Sequence, residues 1–285
     1  MNRIRQKQPG CHSRLLVLLV AVTFTPLALP GQALLNAGQH KLFLSCTGQR
    51  HGPVVIFEAG QGRSSEDWSK VQPEAAKITE SCSYDRVGLG RSAPASPVAG
   101  APAETTDEQV KDLYQLLHSA SVRPPYIMVG HSFGGILVRR FATKYPGEIV
   151  GMVLLDSAHE EQIWRFLDID PNSLQGISLK PDDLRREGFL PPRERLSWHA
   201  DIPLIALQHG RSLPMEGPAK QHQAEFESAM QSMQKDLVAR SRYGELRTAE
   251  HSGHFIQLEQ PDVVVQAIED VWNRSFTPKA SAVRK

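Results

Sequence analysis

Acidic residues are missing from the start of this 285-residue chain: none occurs before Glu58. Arg3, Arg5, Lys7 and Arg14 instead precede an apolar stretch from Leu15 to about Leu29, which Pro26 interrupts. The stretch is short and broken for a bilayer span, and its layout is that of a secretory signal peptide. Gly31-Gln32-Ala33 supplies a small-x-small cleavage site, so residues 1–33 are expected to be removed. The alternative is an uncleaved N-terminal anchor. Cysteine is scarce too. Of the three, Cys11 lies in the leader, which leaves Cys46 and Cys82. An even pair in an exported chain, periplasmic or secreted, predicts one disulfide.

Basic charge is equally limited. Loss of Arg3, Arg5, Lys7 and Arg14 takes the 32 basic side chains to 28, against 31 acidic ones. A mildly acidic body without a basic stripe argues against nucleic acid as a partner, and against a membrane surface for the mature domain. There is no internal repeat and no long low-complexity tract, which excludes a solenoid. His159, His209 and His222 are not spaced with cysteines or carboxylates as a metal set. Neither a metal nor another cofactor is expected, and these histidines read as ordinary packing residues.

What is present alternates between strand and helix. Short apolar runs at 41–46, 54–57, 82–84, 126–129, 149–155, 202–207 and 245–249 read as strands. Thr105 and Glu108 are spaced as a capping box ahead of Val110, Leu113, Leu116 and Leu117 at helical spacing. Phe226, Met230, Met233 and Leu237 mark another helix face, and Val263, Ala267, Ile268 and Val271 a closing one. Strand–helix–strand order with unbroken apolar strands predicts an α/β fold, a mostly parallel sheet with helices on both faces. Residues 160–200 break the pattern, with Pro171, Pro181, Pro191 and Pro192 among Trp164, Phe166, Phe189 and Trp198. They are expected to form a small helical cap. The core then comprises 34–159 and 201–275, with a tail at 276–285.

Gly130-His131-Ser132-Phe133-Gly134 carries the chemistry. An apolar strand leads in and a helical pattern, Ile136 to Ala142, leads out. A serine on such a sharp turn exposes its hydroxyl above the sheet edge, and the flanking glycines let strand and helix pack closely. His131 should point away from Ser132 and pack behind the turn.

Together with Gly60-Gln61-Gly62, the segment Tyr84 to Ser92 and the segment Gly253 to Pro261, this motif resembles the α/β-hydrolase superfamily, in its serine esterase and proline iminopeptidase-like branch. The resemblance runs from about Lys41 to Trp272. It implies Ser132 as nucleophile and His254 as general base, with His251 a lesser candidate. It implies an oxyanion hole from the backbone N–H groups of Gln61 and Phe133. Asp85 and Arg86 are assigned to the turn beside the site. The acid departs from the common pattern, because Leu213 stands where an aspartate is usual, three residues after Gly210. Asp156, at the end of the preceding strand, is the first candidate and Glu216 the alternative. The implied function is hydrolysis of an ester or related acyl bond in a small-molecule substrate. Aminopeptidase, thioesterase, lactonase and haloperoxidase-like activities are alternatives, and so is a catalytically silent ligand-binding protein.

Overall fold

The computed structural model describes residues 31–94, 104–174, 180–194, 201–213 and 217–276. Residues 1–30, which hold most of the leader, lie outside the described residues, as do Trp198 and Glu216. Eight strands form one sheet: β1 (Gln32–Ala37), β2 (His40–Thr47), β3 (Val54–Glu58), β4 (Ser81–Tyr84), β5 (Tyr126–His131), β6 (Ile149–Leu155), β7 (Leu204–His209) and β8 (Gly244–Ala249). Their spatial order is β1-β2-β4-β3-β5-β6-β7-β8. β1 pairs with β2 and β2 with β4 antiparallel, and all the other neighbours are parallel.

The helices are α1 (Gln72–Ala75), α2 (Thr106–Ser119), α3 (Phe133–Lys144), α4 (Gln162–Ile169), α5 (Pro181–Arg186), α6 (Gln223–Ala239), α7 (Ile256–Glu259) and α8 (Pro261–Ser275). Both sheet faces are covered, which is why β3, β5 and β6 are apolar without alternation. Ile56, Met128 and Met152 pack with Leu113 and Leu116 of α2 and Phe141 of α3. Val55, Phe57, Ile127 and Val153, one residue out of phase, pack with Trp68 and with Val264, Ile268 and Val271 of α8. The capping box forms: Glu108 N–H donates to Thr105 Oγ1, and Thr105 N–H to the Glu108 carboxylate.

Two strands differ from the sequence reading. β1 lies partly inside the expected leader, and cleavage after Ala33 would leave it to begin at Leu34. It is an edge strand with alternating exposed positions, and so lacks the apolar run that marks its neighbours. β7 starts and ends two residues later than expected. Pro203 has no N–H for the ladder, while Gln208 and His209 pair with Thr248 and Ala249. That shift puts His209 at the strand's end, beside Asp156. In the 160–200 region α4 and α5 are helical, as is a short turn at Pro192–Glu194. Phe189 is buried in the main core and Phe166 packs edge-on against Phe226 of α6, with ring centroids 5.0 Å apart.

Candidate active site

β5 ends at His131 and α3 opens at Phe133, so one residue must turn the chain. Ser132 does so at φ 52° and ψ −120°, a conformation that costs a non-glycine residue about 1–3 kcal/mol. A Cβ on Gly130 would stand 2.8 Å from Gly134 O, and one on Gly134 would stand 2.7 Å from Ala59 O. Neither glycine can carry a side chain without moving backbone. The turn is pinned on three sides. Ser132 N–H donates to Leu155 O, and Ser132 O accepts from the N–H groups of Gly135 and Ala158, all at 2.9 Å.

The loop after β3 is held by a buried arginine. Arg86 donates to Ala59 O at 2.7 Å and to Gly60 O at 2.5 Å. It also pairs with Glu58, which accepts a second hydrogen bond from the Tyr84 hydroxyl. Burial pushes the Glu58 carboxyl up, against the pull of Arg86 and Tyr84. With both carbonyls anchored, the loop turns at Gly60–Arg63 and leaves Gln61 exposed. Among the described residues no acceptor is bonded to Gln61 N–H. Phe133 is the first residue of α3, so its N–H has no carbonyl of the helix to donate to. Asp85 holds the neighbouring turns, accepting from Ser65 N–H at 2.6 Å and Arg91 N–H at 2.8 Å.

His254 follows β8 and is 30% exposed at its side chain. Its Nδ1 lies 2.6 Å from Asp156 Oδ2. Asp156 follows β6 directly, is 1% exposed, and has φ 40°. Its N–H donates to Leu207 O at 2.7 Å. Burial alone would raise this carboxyl, but hydrogen bonds from His209 and His254 outweigh it and hold the pKa at about 2. Among the described residues only Ser121, Ser132 and Asp156 have positive φ without being glycine. Two of the three are therefore candidate-site residues. No hydrogen bond joins Ser132 to His254 among the described residues; such contacts tighten when substrate binds.

His131 is buried and lies beside His254, with its Nε2 2.9 Å from His254 O and ring centroids 4.7 Å apart. Burial, together with the nearby His254, lowers its pKa to about 4. The neutral ring thus props the histidine loop. His251 is exposed, and its N–H is bonded to the Gln260 side chain. Cys46 and Cys82 are joined by a disulfide across β2 and β4.

Glu58 and His209 escaped the sequence reading. Glu58 and Arg86, the latter already assigned to the turn beside the site, grip the loop that bears Gln61. His209, set aside as a packing residue, bonds Asp156 Oδ1 through Nδ1 at 2.7 Å and Glu227 Oε2 through Nε2 at 2.8 Å. His40, Glu104 and Asp112 also bring metal-type ligand atoms within 4.8 Å of one another. His40 Nε2 already pairs with Glu104 there at 2.8 Å.

The alpha/beta hydrolase fold family model matches residues 52–194. The uncharacterized protein YqjL of Bacillus subtilis is 29% identical over 225 residues, covering 78% of this chain and 84% of that one. An AB hydrolase superfamily protein of Gibberella zeae is 32% identical over 132 residues, 44% of this chain and 40% of its own length. The crystal structure of carboxylesterase CesB from Bacillus subtilis superposes with a TM-score of 0.56 at 15% identity, covering 85% of this chain and 90% of that one. An elbow serine after the fifth strand, a mostly parallel eight-stranded sheet and a family match over half the length agree: this chain belongs to the alpha/beta hydrolase fold family.

Proposed function

We propose that the chain is a serine hydrolase that cleaves an ester or a related acyl bond in a small molecule. The observation that carries this reading is the 2.6 Å contact between His254 Nδ1 and buried, ionised Asp156, beside a serine held at positive φ. A free serine hydroxyl is a poor nucleophile and needs a base. In this reading His254 Nε2 takes the Ser132 proton as Oγ attacks the carbonyl carbon. Asp156 fixes the ring tautomer and stabilises the imidazolium that forms. The N–H groups of Gln61 and Phe133 receive the developing oxyanion, each contributing about 3 kcal/mol to the transition state. His254 then protonates the leaving alcohol. Water, deprotonated by the same ring, splits the acyl-enzyme and frees Ser132 and the acid product.

An ester is the substrate class this reading takes, and CesB, a carboxylesterase by its description, shares the fold. The same reading sends the chain out of the cytoplasm. Its supports are the basic and apolar leader and the Cys46–Cys82 disulfide, a bond that persists in oxidising compartments. The test is reaction of the protein with a fluorophosphonate, with the adduct located by mass spectrometry. A single adduct on Ser132, absent from Ser132→Ala and competed by short-chain esters, is expected. Full-rate ester hydrolysis by Ser132→Ala would overturn the assignment.

A further inference from the structure

Asp156 has two oxygens, and only Oδ2 serves His254. Oδ1 is taken by His209, through Nδ1 at 2.7 Å and a longer bond from the backbone N–H at 3.4 Å. The His209 ring is 5% exposed at its side chain and is closed on its far side by Glu227 of α6. Glu227 is fixed in turn, its other oxygen accepting Leu213 N–H at 2.8 Å. Glu227, His209, Asp156 and His254 thus form one file of side chains drawn from α6, β7, the end of β6 and the loop after β8.

We propose that His209, clamped between Asp156 and Glu227, is a positioning residue that holds the Asp156 carboxylate in line for His254. The proposal rests on the serine-hydrolase reading for its catalytic meaning and on geometry for the rest. A carboxylate is an acceptor only, so a ring facing carboxylates at both nitrogens must carry protons on both. His209 is therefore an imidazolium, and its pKa is accordingly raised: burial lowers it, but Asp156 and then Glu227 lift it to about 9.

Two effects follow. First, the carboxylate cannot swing about χ2, because each oxygen has its own donor. Second, a positive charge beside Asp156 offsets part of the negative charge felt by His254. Among the described residues, the charged and titratable groups bonded to His209 are Asp156 after β6 and Glu227 from α6, and, through Asp156, His254 from the loop after β8. The loop after β7 carries Leu213 where the family commonly has its acid. The acid here comes from β6, and β7 supplies the clamp instead.

The experiment compares wild type with His209→Asn, His209→Leu and Glu227→Gln. Asparagine keeps a neutral donor near the Nδ1 position, whereas leucine keeps none. Ser132 labelling by fluorophosphonate and ester kcat and KM are measured against pH. The far-downfield proton resonance of the His254 Nδ1–H, assigned by its loss in His254→Ala, is followed in parallel. In His209→Leu, kcat should fall about ten- to a hundredfold with KM little changed, and the downfield proton should broaden or vanish. In His209→Asn, kcat should stay within a few-fold of wild type and the downfield proton should persist. The acid limb of its kcat/KM profile should move to higher pH, because a cation beside Asp156 is gone. Glu227→Gln should move the limb the same way, but less. If His209→Leu does not fold, His209→Asn carries the test. Wild-type pH profiles and an unchanged downfield proton in folded variants would overturn the proposal. Should wild type fail to label at Ser132 while the downfield proton still responds to His209, the hydrolase reading falls and the positioning role stands.

Discussion

Two histidines are buried within reach of the same short turn, 156–160, and they differ in charge. His209 faces a carboxylate at each nitrogen and is an imidazolium with a pKa of about 9. His159 accepts Glu161 N–H at Nδ1, and its Nε2 lies 3.0 Å from Asp236 Oδ2 and 2.9 Å from the Arg240 guanidinium. Burial depresses its pKa, and the ring is neutral. The surroundings also differ. His209 opens onto His254 and the exposed side of the site. His159 lies in a sealed cluster where Arg139 of α3 donates to Ser157 Oγ at 2.7 Å and to Ala158 O at 2.9 Å. Glu160 there is flanked by Arg139 and Arg240, the latter at 2.6 Å. Both clusters are buried, so burial alone does not decide a histidine's state; its donors and acceptors do. In the proposed hydrolase the first cluster poises an acid for chemistry. The second holds the chain that leaves β6, whose Ala158 N–H in turn anchors Ser132 O.

The largest break in this contrast is Asp156→Asn. It removes the charge that His209 and His254 share and should lower ester kcat/KM about ten-thousandfold, with the protein still folded by circular dichroism. A loss under tenfold would remove Asp156 from the proposed triad.

Arg139→Met comes next and acts on the sealed cluster. Glu160 loses one of its two cations and Ser157 and Ala158 their donor, so urea unfolding should show about 3–5 kcal/mol less stability. Activity per folded molecule should stay within about tenfold. A variant of unchanged stability but dead activity would invert the roles assigned to the two clusters.

The smallest effect is the pH dependence of stability, which separates the histidines by sign. His209 is raised, so its contribution is complete below the unfolded value near 6.5 and is lost as pH climbs through about 9. His159 and His131 are lowered, so theirs is present above about 6.5 and fades as pH falls below it. Denaturation midpoints should decline on both sides of a neutral maximum. Glu227→Gln should flatten the alkaline decline and leave the acid one. An alkaline decline that survives in Glu227→Gln would assign it to another group.

Much of this was legible in the chain. The apolar strands, the capping box, the α6 face of Phe226, Met230, Met233 and Leu237, and the G-x-S-x-G turn all rest on local spacing, which a sequence displays. The candidate site was legible as residue types: Ser132 and Asp156 each follow a strand directly and His254 lies in the loop after β8, in a recurring order. His209 and Glu227 were not legible. Their meeting depends on β6 and β7 being lateral neighbours and on α6 packing over their ends, with Asp156 and His209 separated by 53 positions in sequence. Arg139 was hidden for a related reason: it sits beside Arg140 in α3, and its partners, Ser157, Ala158 and Glu160, come from the chain after β6. β1 was hidden by composition, since its start overlaps a leader-like segment and its outer positions are exposed.

The disulfide gives the sheet a path for mechanical load. A pull on the backbone at Gly31 would first peel β1 from β2, then unzip β2 from β4, starting at its leading residues. The unzipping would halt at Cys46, where tension crosses the covalent bond to Cys82 in β4. The span between the two cysteines, which are 36 positions apart, would then be bypassed. That span contains β3 and the loop of Gly60 and Gln61, so the strand behind the site would stay slack while its neighbour bore the force.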